Sequence, residues 1–573
     1  MFSLCKTSRW AASQALRPTT TPRRPLLRAG LSLWQPPAFV NAPVKDYARG
    51  SPERAELTKA LEELKANLPA QIPLVIGGAK INENLTLKQI NPCRHREVVA
   101  EAAEATPDNV NAAIDAALRA KPAWEAMPFE DRAVIFLRAC ELIEGPYRQQ
   151  LNAASMLGQG KNVLQAEIDI AVETCDFLRA YIQEGWKLHS QQPAIHAPGS
   201  WNRMEYRPLE GFVYAIAPFN FTALAATLVT PAALMGNVVV WKPSPSAVHT
   251  SHLLHQILIE AGLPRDVIQF VTGDAEQITA TVLQRRELAG LAYTGSTAVF
   301  RALQGQVGAA TAGGRYASYP RVVGETGGKN FHLLHASADV RSAALHTIRS
   351  AFEYQGQKCA SGSRAYVPAS LWPAFKAVLV EETRKLRVGP PEDYANFVNA
   401  VIHERAFDKL AAVLEAAQTD PALTLLVGGR ADKSEGYYVH PTVYQTTDPR
   451  HDIMVRELFG PVLGVYVYDD ADWSDVLRLV DTTSDYALTG SIFARDQEAS
   501  RQAQDALKHS SGMLYLNTKS TGSVVGQQPF GGSRASGTND KSGTAALLQR
   551  WTSVRTVKEE FGVIDDVLYP SNK

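Results

Sequence analysis

Cysteine is scarce in this sequence. The 573 residues include five cysteines, and no two of them form a C-x-x-C pair. A sparse and odd set of cysteines argues against a disulfide framework and indicates reduced thiols in an intracellular compartment. A chain of this length buries a core large enough to be stable without disulfide bonds.

The sequence also lacks an excess of charge of either sign. Basic and acidic residues number 58 each, so we expect no nucleic-acid partner. Residues 212–241 carry no charge at all, but Pro218, Asn220 and Pro231 interrupt this stretch. Because proline breaks helices and asparagine is costly in lipid, we predict strand, loop, buried helix and strand rather than a membrane span.

Acidic residues are missing from the first 45 residues, which are rich in arginine and in hydroxyl side chains. This composition is typical of a mitochondrial transit peptide. We therefore predict that residues 1–45 are a cleaved leader and that the protein acts in the mitochondrial matrix. A disordered basic tail is the alternative interpretation.

Neither a standard dinucleotide fingerprint nor a zinc motif is present. The string Gly158–Val163 lacks the last glycine of G-x-G-x-x-G and has no predicted strand before it. The string His403–Phe407 ends in phenylalanine where H-E-x-x-H requires histidine. We therefore predict no metal site.

Predicted strands and helices alternate through most of the chain after Gly211. The strand Val238–Trp241, the helix Ser246–Ala261 and the strand Val267–Val271 form one such unit. Units of this length predict an α/β fold with a parallel sheet and right-handed crossovers. A second α/β run follows Glu325.

Polar residues follow several predicted strands, at the edge where open α/β sheets bind ligands. Lys242 is able to bind ribose hydroxyls, and Gly295 and Ser296 open a helix whose free N–H groups suit a phosphate. Asn220, between aromatic residues, is able to stabilise an oxyanion by roughly 3–4 kcal/mol. Glu457 is able to bind a ligand hydroxyl. The structural alternatives are a solvated lysine, a capped helix and two ordinary turns.

Glu325 and Cys359 form the most informative pair. Each lies in a glycine-containing turn, and glycine allows the backbone to approach a ligand closely. A thiol provides a covalent nucleophile, and a carboxylate can act as the base that releases the product.

Together these motifs resemble the NAD(P)-dependent aldehyde dehydrogenase superfamily over nearly the whole chain after residue 50. The segments that agree in order and spacing are Pro218–Phe221, Trp241–Pro243, Thr294–Ser296, Glu325–Asn330, Cys359 and Glu457–Pro461. This superfamily has an atypical Rossmann domain, which accounts for the missing glycine fingerprint.

Three further segments resemble the mitochondrial branch that oxidises glutamate γ-semialdehyde to glutamate in proline degradation. That aldehyde forms when Δ1-pyrroline-5-carboxylate is hydrolysed. The segments are Phe352–Cys359, Ser520–Gly532 and Ala535–Lys541.

The resemblance implies a role for each site residue. Cys359 is expected to be the nucleophile, Asn220 an oxyanion donor and Glu325 the base that activates water. Lys358 is a candidate for lowering the pKa of the thiol. The expected contacts to the cofactor NAD are Lys242, Gly295, Ser296, Glu457 and Phe459. The expected contacts to the amino-acid end of the substrate are Gly522, Ser523 and Phe530 of an anchor loop.

Two positions depart from the family pattern. Ala360 stands where this branch often has serine, and the loss of one hydroxyl contact would weaken substrate binding by roughly 1 kcal/mol. Pro245 stands where many NAD-selective relatives have glutamate, so some use of NADP is expected beside NAD.

The family architecture implies an NAD-binding domain over residues 46–330, with an oligomerisation flap at about residues 198–211. A catalytic domain over residues 331–525 and a C-terminal return segment and tail over residues 526–573 complete it. The resemblance also implies a homo-oligomer, a dimer or larger.

Three other functions remain open at this point. One is the oxidation of another aldehyde, such as succinate semialdehyde. The second is a scaffold without catalytic activity, and the third is a cysteine hydrolase that reduces no cofactor.

Overall fold

The computed structural model describes residues 34–573, so most of the predicted leader lies outside the described residues. No helix in this part of the chain has both the length and the apolar character needed to span a bilayer. The predicted order of strand, loop, helix and strand within residues 212–241 is confirmed.

The α-helices are α1 (Pro52–Ala66), α2 (Pro107–Ala126), α3 (Phe129–Glu144), α4 (Arg148–Gln159), α5 (Val163–Glu167), α6 (Thr174–His189), α7 (Thr222–Leu234), α8 (Val248–Glu260), α9 (Ala275–Gln284), α10 (Thr297–Ala312), α11 (Val340–Phe352), α12 (Trp372–Arg384), α13 (Glu404–Ala416), α14 (Asp452–Val455), α15 (Trp473–Thr482), α16 (Gln497–Ala506) and α17 (Ala545–Arg550). A π-helical turn, Ile168–Glu173, joins α5 to α6.

The strands are β1 (Ala70–Ile72), β2 (Leu74–Ile76), β3 (Ala79–Ile81), β4 (Leu87–Asn91), β5 (Arg94–Ala102), β6 (Ser200–Pro208), β7 (Phe212–Ile216), β8 (Val238–Lys242), β9 (Ile268–Phe270), β10 (Leu288–Thr294), β11 (Arg321–Glu325), β12 (Asn330–Leu334), β13 (Gly362–Pro368), β14 (Leu423–Val427), β15 (Ala431–Asp432), β16 (Tyr438–Val439), β17 (Thr442–Thr446), β18 (Val462–Tyr468), β19 (Tyr486–Ala487), β20 (Thr489–Phe493), β21 (Met513–Leu516), β22 (Ser533–Arg534) and β23 (Thr552–Glu560).

A first sheet has the strand order β11-β10-β7-β8-β9-β2-β3. The five strands from β11 to β9 are parallel, and β2 and β3 extend the sheet in antiparallel pairing. Strand β8 is buried along its whole length, as expected for a parallel sheet with helices on both faces.

A second sheet has the order β14-β17-β18-β13-β12-β20-β21 and is parallel except at its β14 edge. Its first strand in the sequence, β12, begins only five residues after β11 ends the first sheet. The motif Glu325–Asn330 therefore forms the direct connection between the two sheets. Its position at this junction brings groups from both sheets to one place.

The flap is a separate two-stranded sheet in which β6 pairs with β23 antiparallel along nine residues. The predicted flap segment near residues 198–211 thus pairs with a strand of the predicted C-terminal tail. Whether this sheet joins subunits stays a prediction.

Helix α2 corrects one expectation. The position of Pro122 predicts a helix that ends at Ala120, but the helix continues to Ala126. Trp124 is buried, and its indole N–H donates to the carbonyl oxygen of Ala233 at 2.9 Å. Packing of the last turn against α7 therefore outweighs the helix-breaking effect of the proline.

Candidate active site

The first sheet brings three of the predicted site residues to one edge: Asn220, Lys242 and Glu325. Ile216 at the end of β7 is aligned with Lys242 of β8, and Thr294 of β10 is aligned with Glu325 of β11. Asn220 follows β7 by four residues. The carboxyl ends of these parallel strands therefore present the predicted cofactor and catalytic residues together.

The loop before Cys359 has an uncommon backbone. Tyr354, Gln355 and Gly356 have φ angles of 51°, 55° and 68°, in the left-handed region. Two successive non-glycine residues, Tyr354 and Gln355, are unfavourable in this region because of their Cβ atoms. The side chain of Gln355 compensates by donating to the carbonyl oxygens of Gly160 at 2.8 Å and Ala400 at 2.9 Å.

Two asparagines hold the nucleophile loop from either side. The amide nitrogen of Asn330 donates to the carbonyl oxygen of Cys359 at 2.7 Å, and that of Asn220 donates to the carbonyl oxygen of Gln357 at 3.1 Å. An amide nitrogen carries two hydrogens, so Asn220 retains an N–H for an oxyanion formed near Cys359. The role of Asn220 as an oxyanion donor stays a prediction.

The thiol of Cys359 is half-buried and opens into a pocket. Burial raises its pKa to about 12, and the charges of Glu457 and Glu325 add to the rise. Lys358, which we expected to lower this pKa, instead donates to Glu353 at 2.9 Å. The charge of Lys358 is therefore already paired with Glu353.

Glu325 is enclosed by the return segment. Its carboxylate accepts a hydrogen bond from the Gly532 N–H at 3.1 Å, and a Cβ at Gly531 would lie 3.2 Å from its Oε1 atom. Burial raises its pKa to about 8, although the Gly532 N–H and the charge of Lys541 act in the opposite direction. A carboxyl group with a pKa near neutrality suits a general base.

The residues predicted to bind the cofactor line the sheet edge. Lys242 is buried, and burial lowers its pKa to about 8 against the opposing charge of Asp274. Ser296 caps α10, its hydroxyl accepting from the Val299 N–H, and Gly295 precedes it. A buried ammonium group beside an N-terminal helix end is a donor set that fits ribose hydroxyls and a pyrophosphate.

Glu457 reaches the same place from the second sheet. Its carboxylate accepts from the Gly328 N–H at 2.9 Å, and a Cβ at Gly327 would lie 2.0 Å from it. The ring of Phe459 contacts that of Phe219, next to Asn220, with ring centres 5.8 Å apart. The glycines of the connection between the sheets therefore leave room for this carboxylate.

The pocket at Cys359 contains the predicted anchor loop. Gly522, Ser523 and Phe530 all line it, as does Ala360. Aromatic side chains form much of the remaining wall: Phe177, Phe221 and Tyr515.

Charged groups of both signs also line this pocket. Burial alone would raise the pKa of Glu353, but the charges of Lys358 and Lys519 lower it to about 2. Lys519 donates to Glu353 at 2.6 Å. Within residues 34–573 no lysine or arginine forms an ion pair with Glu173, and burial raises its pKa to about 8. The pocket thus offers a cationic side and a second carboxyl group.

A buried ion pair supports the Asn220 turn. Lys161 pairs with Asp169, whose two oxygens accept from the backbone N–H groups of Thr222 at 2.9 Å and Ala223 at 2.8 Å. Asp169 therefore caps α7 directly after Asn220.

A model of the aldehyde dehydrogenase family matches residues 80–557. The chain belongs to the aldehyde dehydrogenase family. This aldehyde dehydrogenase is 54% identical over 548 residues to the mitochondrial Δ1-pyrroline-5-carboxylate dehydrogenase of Emericella nidulans, covering 95% of this chain and 96% of the relative. It is 46% identical to the human mitochondrial enzyme of the same name, covering 95% and 97%.

Solved structures extend the comparison to the fold of the aldehyde dehydrogenase. A Δ-pyrroline-5-carboxylate dehydrogenase from Mycobacterium tuberculosis bound with NAD has a TM-score of 0.90 and 46% identity, covering 95% of this chain and 99% of that one. A 1-pyrroline-5-carboxylate dehydrogenase from Thermus with bound NAD has a TM-score of 0.85 and 30% identity, covering 91% and 99%. The expected family and fold are confirmed.

Three charged residues of the aldehyde dehydrogenase pocket were not predicted as site residues: Glu173, Glu353 and Lys519. The sequence around a charged residue in a helix or loop does not show whether its side chain faces solvent or a pocket. A signal was present for two of them, because Glu353 lies in the motif around Cys359 and Lys519 directly precedes the anchor loop.

Proposed function

We propose that this aldehyde dehydrogenase oxidises L-glutamate γ-semialdehyde, formed from Δ1-pyrroline-5-carboxylate, to L-glutamate. The observation that carries the proposal is the pocket at Cys359, which combines lysine ammonium groups, the unpaired carboxyl group of Glu173 and aromatic walls. This substrate has a carboxylate, an ammonium group and a short aliphatic chain. Similar proteins from fungi and mammals bear the corresponding name.

Cys359 is proposed to attack the aldehyde carbon through its thiolate, forming a thiohemiacetal whose oxyanion accepts hydrogen bonds from Asn220 and the Cys359 backbone N–H. NAD held by the residues named below would supply the hydride acceptor for the same carbon. Glu325 then removes a proton from water, which attacks the resulting thioester on Cys359 and releases glutamate.

Lys242, Gly295, Ser296, Glu457 and Phe459 are proposed to hold NAD. Lys242 and Glu457 suit the hydroxyls of the two riboses, and the start of α10 suits the pyrophosphate. NADP use remains part of the proposal because Pro245 provides no carboxylate to repel a 2′-phosphate. A leader and a matrix location are proposed from the composition of the N-terminal residues.

The proposal is tested by following NADH formation through its near-ultraviolet absorbance. The kcat/KM values for Δ1-pyrroline-5-carboxylate, succinate semialdehyde and propanal would be compared. We expect a clear preference for the first. A preference for succinate semialdehyde would favour the alternative that the enzyme oxidises this other aldehyde. Ester cleavage without NADH formation would favour a cysteine hydrolase.

Glu173→Gln tests how the pocket distinguishes glutamate γ-semialdehyde from succinate semialdehyde, which has a similar chain length. Glutamine keeps the size of the side chain but cannot carry a negative charge. Because only glutamate γ-semialdehyde has an ammonium group, its KM should rise, while that for succinate semialdehyde should not. Equal effects on both substrates would remove Glu173 from the proposed recognition of the ammonium group.

A further inference from the structure

Residues 39–47, termed the N-terminal clamp, connect two walls of the pocket. The amide nitrogen of Asn41 donates to the carboxylate of Asp176 in α6 at 2.8 Å and to the carbonyl oxygen of Val525 in the anchor loop at 2.9 Å. The side-chain oxygen of Asn41, Oδ1, accepts a hydrogen bond from the Gln527 side-chain amide at 3.1 Å. One side chain therefore joins α6 to the anchor loop.

The bonded residues lie next to the pocket lining. Asp176 precedes Phe177, whose ring lines the pocket, and Val525 lines the pocket itself. The backbone N–H of Ala42 also donates to Asp176, at 2.8 Å, and Asp176 is 1% exposed. A displacement of the clamp would therefore act on both walls.

A ring contact adds to the hydrogen bonds. A Cβ at Gly526 would lie 2.5 Å from the ring of Phe39, and Gly526 has a φ of +81°. Only glycine allows the anchor loop to turn against this ring without displacing it.

The other end of the clamp is fixed in the protein body. The Lys45 N–H donates to Glu167 at 3.0 Å, and the Tyr47 hydroxyl donates to the same carboxylate at 2.8 Å. Glu167 is fully buried and pairs with Arg148, which also donates to the carbonyl oxygen of Pro43 at 3.2 Å. The clamp is therefore held over its whole length.

We propose that the N-terminal clamp fixes the separation of α6 and the anchor loop, and that Asn41 is a positioning residue for the amino-acid end of the substrate. The substrate part of this inference rests on the proposed function. The positioning of the loop does not, because it follows from the contacts of Asn41 alone. A leader cleaved at residue 45 would remove the clamp, so the mature chain should retain residues 39–45.

Asn41→Ala in the full chain tests the clamp, with Asn67→Ala as the matched control. Asn67 is exposed, and its side-chain amide donates to the carbonyl oxygen of Glu63 near the end of α1, far from the pocket lining. Hydrogen exchange of residues 520–530 should be faster in Asn41→Ala and unchanged in Asn67→Ala. Unchanged exchange in Asn41→Ala would overturn the clamp, whatever the substrate of the enzyme is.

Kinetics then test the effect on the substrate. In Asn41→Ala the KM for Δ1-pyrroline-5-carboxylate should rise about three- to tenfold, the scale of one or two lost hydrogen bonds. The KM values for propanal and NAD should remain unchanged, because neither molecule uses the amino-acid end of the pocket. An equal rise for propanal would indicate general damage and would overturn the positioning role.

Two truncated chains provide an independent comparison. A chain that starts at residue 36 keeps the clamp, whereas one that starts at residue 46 loses it. The first should match the full chain, and the second should show the KM change of Asn41→Ala. If both show the same KM as the full chain, the clamp has no role. Failure of the proposed function would instead appear as no preference for Δ1-pyrroline-5-carboxylate in the unmodified protein.

Discussion

Glu325 has a pKa near neutrality because burial is only partly offset by the groups around it. The nearest cation that acts on it is Lys541, which also donates to the carbonyl oxygens of Gly512 at 2.7 Å and Gly531 at 2.9 Å. The carboxylate is the form able to accept a proton from water. Activity limited by this base should therefore fall as the pH decreases through about 8.

Lys541→Met should move this pH dependence to higher values. Loss of the cation leaves the buried carboxylate less stabilised, so the pKa of Glu325 rises and a higher pH is needed to ionise it. The measurement is kcat against pH under conditions where thioester hydrolysis limits the rate. Lys508→Met, at an exposed lysine, serves as the control and should leave the profile in place. An unchanged profile in Lys541→Met would show that Lys541 does not act on the base.

Ala360→Ser should improve substrate binding. Ala360 is 7% exposed and lines the pocket beside the anchor loop, so a hydroxyl there would face the substrate carboxylate. One added hydrogen bond of roughly 0.5–1.5 kcal/mol would lower the KM for Δ1-pyrroline-5-carboxylate by about two- to tenfold. The KM for propanal should stay constant and provides the control within the same variant. A KM that rises would show that the pocket is too tightly packed for the extra oxygen.

The sequence sufficed to propose Cys359 as nucleophile and Glu325 as base because their signal is local: a cysteine and a glutamate in glycine-containing turns at the expected spacing. Glu173 was not predictable in this way. Its side chain lines the pocket from the end of the π-helical turn before α6, and no short motif specifies that position. The same holds for Asn41, whose partners are more than a hundred residues away in sequence.

Among the structural elements, the loop 354–359 is the most constrained. Gly356 has a φ of +68°, and a Cβ there would lie 2.3 Å from the carbonyl oxygen of Gly460. Gly356→Ala should therefore lower stability by about 2–4 kcal/mol and remove most of the activity, since the loop carries Cys359. The midpoint of thermal unfolding and the rate of NADH formation measure the two effects.

Gly305→Ala is the matched control for this loop. Gly305 lies inside α10, and a Cβ there would have no atom within 4 Å. Because alanine favours helix by about 0.5–1 kcal/mol over glycine, the variant should unfold at the same or a slightly higher temperature. Equal stability of the two variants would contradict the steric explanation for Gly356.

The alternation of strands and helices was predictable because buried parallel strands form short apolar runs between capped helices. The antiparallel strands β2 and β3 at the edge of the first sheet were not predictable in this way. Strands β2 and β3 come from residues 74–81, far from β9 in sequence, and three-residue strands have little pattern of their own. Pairing over such distances is decided by the whole fold.

At the scale of the molecule, the site lies where one short connection, residues 325–330, joins the two sheets. The first sheet ends at Glu325, the second begins at Asn330, and Glu457 returns from the loop before β18. The residues proposed as cofactor contacts, base and nucleophile therefore come from segments that are distant in the chain. The order of motifs along the sequence predicts which residues belong to the site. The fold determines how close these residues lie to one another.

The flap leads to the last prediction, which concerns assembly. Strands β6 and β23 form a two-stranded sheet with no third strand among residues 34–573, and such a sheet is only marginally stable alone in water. Trp201 and Val554 on it are 48% and 47% exposed, and the tail beyond Glu560 exposes further apolar side chains: Phe561, Val563, Ile564, Val567 and Tyr569. A second copy of the chain is therefore expected to cover this surface.

Val554→Lys should weaken that association, because a charge would be buried without a partner in the interface. Light scattering over a range of protein concentrations should show an oligomer for the unmodified chain and a mass approaching one chain for the variant. Val134→Lys places the same charge at an exposed valine of α3 and should leave the mass unchanged. If Val554→Lys keeps the full mass, the flap is not the principal contact between subunits, and the assembly must use another surface.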